Sequence, residues 1–288
     1  MKKKIIIGIL AVMVTISLLA GSFGCGSPRL RVATTTSLYD TGLWDYLEPF
    51  FEEEYGAELD IISAGTGIAL EYGMRGDVDV IAVHSRAREE QFVADGYGVE
   101  RVPFAYNYFL IVGPADDPAG IQGMIPEEAF QTLYNAGLND PDTVKFISRG
   151  DDSGTHGKEQ TIWASAGYDY EEVRTSGRWY VEAAGGMGAT LLRASDMEGY
   201  TLTDIGSFLA YQGELELEPL VEEGAILLNV YSVIAISPES DPGTNIEMAN
   251  NLIAFLTSPE IQELIGDYGV ADYGLQLFTP CAGAEPES

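Results

Sequence analysis

Three short segments concentrate side chains able to hold a small anion. They are Ala33-Thr34-Thr35-Thr36-Ser37, Ser63-Ala64-Gly65-Thr66-Gly67, and Ser148-Arg149-Gly150-Asp151-Asp152-Ser153-Gly154-Thr155-His156. Each is rich in hydroxyls, and two carry glycines, just before a predicted helix. Hydroxyls and backbone N–H groups so placed donate hydrogen bonds, and a helix N-terminus adds positive potential. An oxyanion can then be held with little formal charge. One such loop alone reads as an N-cap; three in one chain read as a set. Arg149 makes the third loop the most specific, because a guanidinium offers a planar fork of donors and keeps its charge. Its alternative partner is Asp151 or Asp152.

The third loop also holds Ser153, His156 and Asp152, the residue types of a hydrolytic triad. Members crowded into so short a stretch seldom reach triad geometry, and Ser153 lies in Asp-Asp-Ser-Gly rather than in a G-x-S-x-G elbow. His84 follows an apolar strand and reads as a satisfied structural histidine. Trp44, Phe50, Phe51 and Tyr55 read as helix core rather than a stacking platform.

These loops need strands and helices to place them. Apolar runs at 30–33, 59–62, 78–83, 108–112 and 226–236 read as strands, and they alternate with helical patterns. The alternation predicts βαβ units, a parallel sheet and an α/β fold. The strands near 108–112 and 226–236 bracket the central third of the chain. This predicts a discontinuous first lobe, 25–114 plus 213–288, with a second lobe, 115–212, inserted. A ligand would then lie between the lobes, where loops leave the carboxyl ends of strands.

The sequence has 288 residues, with 45 acidic against 15 basic side chains and a net charge of −30. At 46% hydrophobic it is globular in composition rather than a disordered acidic tail. The acid excess argues against nucleic acid and against a polybasic grip on anionic lipid. It also suits a medium whose salt screens self-repulsion.

Residues 1–24 read as a secretory signal: Lys2, Lys3 and Lys4 precede an apolar stretch from Ile5 to Ala20 and a small-residue segment. Small residues before Cys25 suggest a lipoprotein signal with Cys25 lipidated. Its removal takes three lysines and moves the net charge from −30 to −33. Cys281 then has no disulfide partner. With two histidines and no Cys/His cluster, no metal site is expected.

At the three loops the sequence resembles the tungstate-binding proteins of the Tup type, extracytoplasmic components of an ABC importer. The matching segments are ATTTSLYDTGL at 33–43, SAGTGIALEYGMRGDVDVIAVHS at 63–85, YNYFLIVGPADDPAGI at 106–121 and FISRGDDSGTHGKE at 146–159. Further matches are GGMGATLLRAS at 185–195, YTLTDIGSFLAY at 200–211 and LLNVYSVIAISP at 227–238. The resemblance implies a two-lobed periplasmic-binding-protein fold of type II, closing on tungstate or molybdate, with no cofactor and no catalysis. It points to Thr35, Thr36 and Ser37 in the first loop, Thr66 and Gly67 in the second, and Arg149, Ser153, Gly154 and Thr155 in the third. It implies a membrane permease as partner, a tether through Cys25 and a monomer. Asp204-Ile205-Gly206 departs from the family by its isoleucine, where a basic residue is frequent. On the residues alone a phosphate-binding transport protein remains the alternative, with Asp151 or Asp152 accepting a phosphate proton, and a hydrolase using Ser153 and His156 the more distant one.

Overall fold

A computed structural model describes residues 28–286. The predicted signal at 1–24 and the predicted lipidation site Cys25 lie outside the described residues. The chain runs β1 (Arg29–Thr35), α1 (Thr36–Asp40), α2 (Leu43–Tyr55), β2 (Glu58–Ala64), α3 (Thr66–Arg75), β3 (Val80–Val83), α4 (Arg86–Ala94) and β4 (Val102–Pro114). It continues through α5 (Pro126–Asn139), β5 (Phe146–Ser148), α6 (Gly154–Ser165), α7 (Tyr170–Arg174), β6 (Tyr180–Glu182), α8 (Met187–Asp196), β7 (Thr201–Asp204) and α9 (Ile205–Tyr211). It ends with β8 (Leu217–Val221), β9 (Leu228–Ala235), α10 (Ile246–Leu256), α11 (Pro259–Asp267), α12 (Val270–Tyr273) and β10 (Thr279–Pro280).

The α/β expectation holds, but the sheet is mixed rather than parallel. β2, β1 and β3 are parallel neighbours, and β9 and β4 join them antiparallel in the order β10-β4-β9-β3-β1-β2. The reason is β9: it returns from the far end of the chain and slots between β3 and β4, so no βαβ crossover feeds it. β4 is longer than its apolar core suggested. Residues 102–108 pair with β9, residues 109–112 with β7 and residues 111–114 with β8. Sequence periodicity also passed over β6, β7 and β8, which have three to five residues each.

Two groups of apolar cores divide along the chain. One holds Leu30, Trp44, Phe51, Phe104, Tyr231 and Phe255, with a flank around Phe92 and Ile234. The other holds Phe109, Phe130, Trp163, Trp179, Tyr200 and Leu227, with a flank around Met187 and Phe208. The change falls inside β4, between Ala105 and Phe109, and at the start of β9, between Leu227 and Tyr231. These two strands pair with each other, Asn107 opposite Asn229, so the groups are joined by one antiparallel ribbon. This is the two-lobed architecture expected from the sequence.

The parallel register sets up the site. Thr35 lies across from Ala64, and Thr34 across from Ala82. The chain leaving β1, β2 and β3 therefore emerges at one edge, carrying Ser37, Thr66 and His84 side by side. On the opposite side β5 ends at Ser148, and the loop Arg149–Ser153 leads into α6.

Candidate functional site

Each loop is held by local chemistry before it meets its neighbours. Thr35 Oγ1 caps α1 by accepting from Leu38 N at 3.3 Å. Ser153 Oγ caps α6 by accepting from His156 N at 3.2 Å. Such caps offset N–H groups that a helix leaves unpaired in its first turn. Gly150 has φ +61, and its backbone lies against Glu182 Cβ, where an added Cβ would come within 2.9 Å. The third loop thus needs glycine at that bend.

The loops from the two lobes are in contact. Arg149 Nη2 donates to Thr36 Oγ1 at 3.0 Å, while its Nε donates to Asp151 Oδ2 at 2.8 Å. The salt bridge to Asp151 offered by the sequence is realised, and the same guanidinium also reaches the first loop. Its side chain is 4% exposed, and the partner carboxylate leaves the pair near neutral. Asp151 Oδ1 also accepts from Ser153 N at 3.1 Å. A Cβ on Gly154 would lie 2.7 Å from His84 Cε1 and 3.1 Å from Thr66 Oγ1. Arg88 Nη2 donates to Asp152 Oδ1 at 2.8 Å, beside Gly67. Gly206, at the start of α9, presses on Thr41 in the same way, an added Cβ meeting Thr41 Cγ2 at 2.7 Å.

The three loops that carry the nine residues singled out from sequence are therefore brought together where the lobes meet. Thr35, Ser37, Thr66, Arg149, Ser153 and Thr155 are buried there, and Thr36, Gly67 and Gly154 are half-buried. Two of these hydroxyls stand out. Thr66 Oγ1, from the first lobe, and Thr155 Oγ1, from the second, are buried without any hydrogen-bond partner. An unpaired buried hydroxyl costs about 1–3 kcal/mol, so each of the two calls for an explanation.

Sequence reasoning passed over His84 as a site residue. It sits just past β3 and is 7% exposed. Its Nε2 lies 2.9 Å from Ser37 Oγ and its Nδ1 lies 2.8 Å from Asn229 Oδ1. It is satisfied, as expected, but by the site itself. Burial pushes its imidazole down to about 4, so the ring is neutral. The available signal was positional: Val83-His84-Ser85 leaves a strand at the same edge as the two Thr-rich loops, and Asn229 is a polar residue inside an apolar strand.

A serine hydrolase is not assembled. The His156 imidazole faces away from Ser153: Nδ1 accepts from Asp152 N at 3.0 Å, and Nε2 lies 2.6 Å from Tyr170 Oη. Behind the loop, Glu159 is buried and receives Ser148 Oγ at 2.6 Å, Tyr180 Oη at 2.6 Å and Trp163 Nε1 at 3.1 Å. Burial raises its carboxyl to about 7 despite these donors. Among the described residues no cluster of His, Cys, Asp and Glu is arranged to hold a metal ion, and no helix is long and apolar enough to cross a membrane. Cys281 is a free thiol that burial raises to about 11.

Residues 25–260 match the PBP superfamily domain. A Haloferax volcanii protein named as an ABC transporter anion-binding protein is 48% identical over 269 residues, covering 91% of this chain and 75% of its own length. The tungstate-binding protein TupA of Peptoclostridium acidaminophilum is 42% identical over 251 residues, covering 87% of this chain and 85% of its own length. The solved structure of the tungstate-binding protein TupA from Desulfovibrio alaskensis G20 superposes with a TM-score of 0.75 at 38% identity, over 89% of this chain and 100% of that one. The chain belongs to the PBP superfamily and, within it, to the family of Tup-type solute-binding proteins.

Proposed function

We propose that the chain is the extracytoplasmic solute-binding component of an ABC importer and that its ligand is the tetrahedral dianion tungstate, with molybdate as the competing anion. The observation that carries this is the pair of partnerless buried hydroxyls, Thr66 Oγ1 and Thr155 Oγ1, on two loops that meet at Gly154. The proposed ligand set is Thr35, Thr36, Ser37, Thr66, Gly67, Arg149, Ser153, Gly154 and Thr155. Thr36 and Ser153 have hydroxyl oxygens that already accept, from Arg149 and His156 N. Their protons stay free to donate to an anion.

Hydrogen bonds from both lobes favour the closed cleft, so loading shifts the open–closed population. The closed form then presents itself to a permease. We place the lobe crossings in β4 and β9, keep the order lobe 1, lobe 2, lobe 1, and take the protein as a monomer tethered through lipid on Cys25. Phosphate is the competing reading: both oxygens of Asp151 are engaged, by Arg149 and by Ser153 N, whereas Asp152 meets Arg88 through Oδ1 and keeps Oδ2 for a phosphate proton.

Isothermal titration with tungstate, molybdate, sulfate and phosphate tests the assignment. Tight binding of tungstate and weak or no binding of sulfate and phosphate is expected. Tight phosphate binding with none for tungstate would overturn it.

A further inference from the structure

His84 is tied into a chain of buried polar groups that runs from the cleft to the ribbon joining the lobes. Ser37 Oγ lies 2.9 Å from Nε2, and Asn229 Oδ1 lies 2.8 Å from Nδ1. Asn229 Nδ2 donates to Asn107 Oδ1 at 3.0 Å and to Tyr231 Oη at 2.8 Å. Both amide hydrogens of Asn229 are therefore spent, and the atom facing His84 is an acceptor. Nδ1 must carry the ring proton, since only a donor fits against that oxygen. A neutral ring protonated on Nδ1 has a lone pair on Nε2, and the Ser37 hydroxyl is the donor that meets it. Burial, with Arg149 and Lys158 nearby, disfavours a charged ring.

The ring is also fixed sterically. Tyr231 and Phe109 lie against it, at centroid distances of 5.2 and 6.2 Å. The backbone of Gly154 is also close, and a Cβ there would meet His84 Cε1 at 2.7 Å and Nε2 at 2.9 Å. Ser37 has one other hydroxyl contact, Thr35 Oγ1, at the longer distance of 3.4 Å.

We propose that His84 is a positioning residue for oxyanion capture: its Nε2 accepts a hydrogen bond from the Ser37 hydroxyl and braces Ser37, and with it Thr35 and Thr36, against the cleft wall. The Ser37 hydroxyl is then a strut, and Ser37 serves the anion through its backbone N–H in the first turn of α1. Thr35, Thr36, Thr66 and Thr155 keep their protons for the ligand. Asn229, whose Oδ1 accepts from His84 Nδ1, sets the tautomer that makes this possible. The inference rests on the reading of the cleft as an oxyanion site.

The test is tungstate titration of the wild type, His84→Gln, His84→Asn, Ser37→Ala and the double variant H84N/S37A. A glutamine amide reaches the height of Nε2 and can still accept from Ser37; an asparagine amide reaches only the height of Nδ1. His84→Gln is expected to stay within about threefold of wild type, and His84→Asn and Ser37→Ala to weaken binding about tenfold each. The double variant should bind no more weakly than Ser37→Ala alone, because His84 acts through Ser37. Additive losses, or equal losses in the Gln and Asn variants, would overturn the proposal. A wild type that binds no tungstate fails the functional reading instead. Should the variants not fold, nitrogen NMR of the wild type decides, since the chain has two histidines. His84 is expected neutral with its proton on Nδ1, with and without tungstate. A proton on Nε2 in either state sinks the proposal.

Discussion

Arg149 and Thr36 meet across the cleft, guanidinium Nη2 to hydroxyl Oγ1 at 3.0 Å. The loop after β5 and the first turn of α1 are thereby joined by a single charge-assisted hydrogen bond. Arg149→Ala should abolish most of the binding, with a loss of about 100-fold or more, because a cation-borne donor and the orientation of Thr36 go together. Arg149→Lys should recover little, since an ammonium cannot hold Thr36 and Asp151 with one planar fork. Titration with tungstate reads both, and circular dichroism reads whether the fold persists. An Arg149→Ala variant that binds like the wild type removes Arg149 from the site.

Gly154 is one of the places where the two lobes touch closely. A methyl group there would sit 2.7 Å from His84 Cε1, and the ring is held in place by Ser37, Asn229 and Tyr231. Gly154→Ala should leave each lobe folded and hold them apart. Small-angle scattering should then show the same dimensions with and without tungstate, whereas the wild type contracts on loading. Contraction of the variant would show that the contact yields.

Glu159 links stability to pH. Its carboxyl is raised from 4.5 to about 7 in the fold by burial, so the folded chain prefers it protonated. Its contribution is full below pH 4.5 and is lost as pH rises through about 7. His84 works in the opposite direction: its pKa falls from 6.5 to about 4, so stability is lost as pH falls below 6.5 toward 4. Above the range in which His84 opposes it, from pH 6.5 to pH 8, the wild type should weaken in urea unfolding. Glu159→Gln should flatten that slope and leave the acid limb intact. An unchanged slope would locate the effect elsewhere, with Glu89, raised by burial to about 7, as the next group to replace.

The acidic surface opposes the ligand from a distance. At −30 the chain repels a dianion, and dissolved salt screens that repulsion over about 10 Å at 0.1 M. Beside His84 a groove of about 370 Å³ is lined by Arg86, Arg88 and Lys158, a local gathering of cations in an acidic chain. The association rate of tungstate should rise with salt, as measured by stopped-flow fluorescence. A falling rate would mean that the cationic groove governs the approach and the net charge does not.

The sequence showed the site more clearly than the framework around it. Thr35, Thr66 and Arg149 were legible because hydroxyls, glycines and an arginine recur just ahead of helices, and that is local chemistry. The α/β class was legible because β1, β2 and β3 alternate with helices. The mixed sheet was not, since the placement of β9 between β3 and β4 is decided by pairing across more than a hundred residues. His84 was hidden for a related reason. Its partners Ser37 and Asn229 lie 47 and 145 positions away, and a lone histidine after an apolar strand looks the same whether it braces a core or a ligand loop.

The position of β9 has a consequence for the order in which the molecule is made. Residues 109–227 hold a complete core of their own and are contiguous in the chain. The other core waits for β9 and α10, because β9 fills the space between β3 and β4. A chain emerging from its amino end would thus carry β1 to β3 as an unfinished half-sheet while the central lobe forms, and gain its first lobe last. Hydrogen-exchange labelling during refolding should record protection at Phe130 and Trp163 before Leu30 and Val80. The reverse order would mean that β1 to β3 hold together without their late-arriving neighbour.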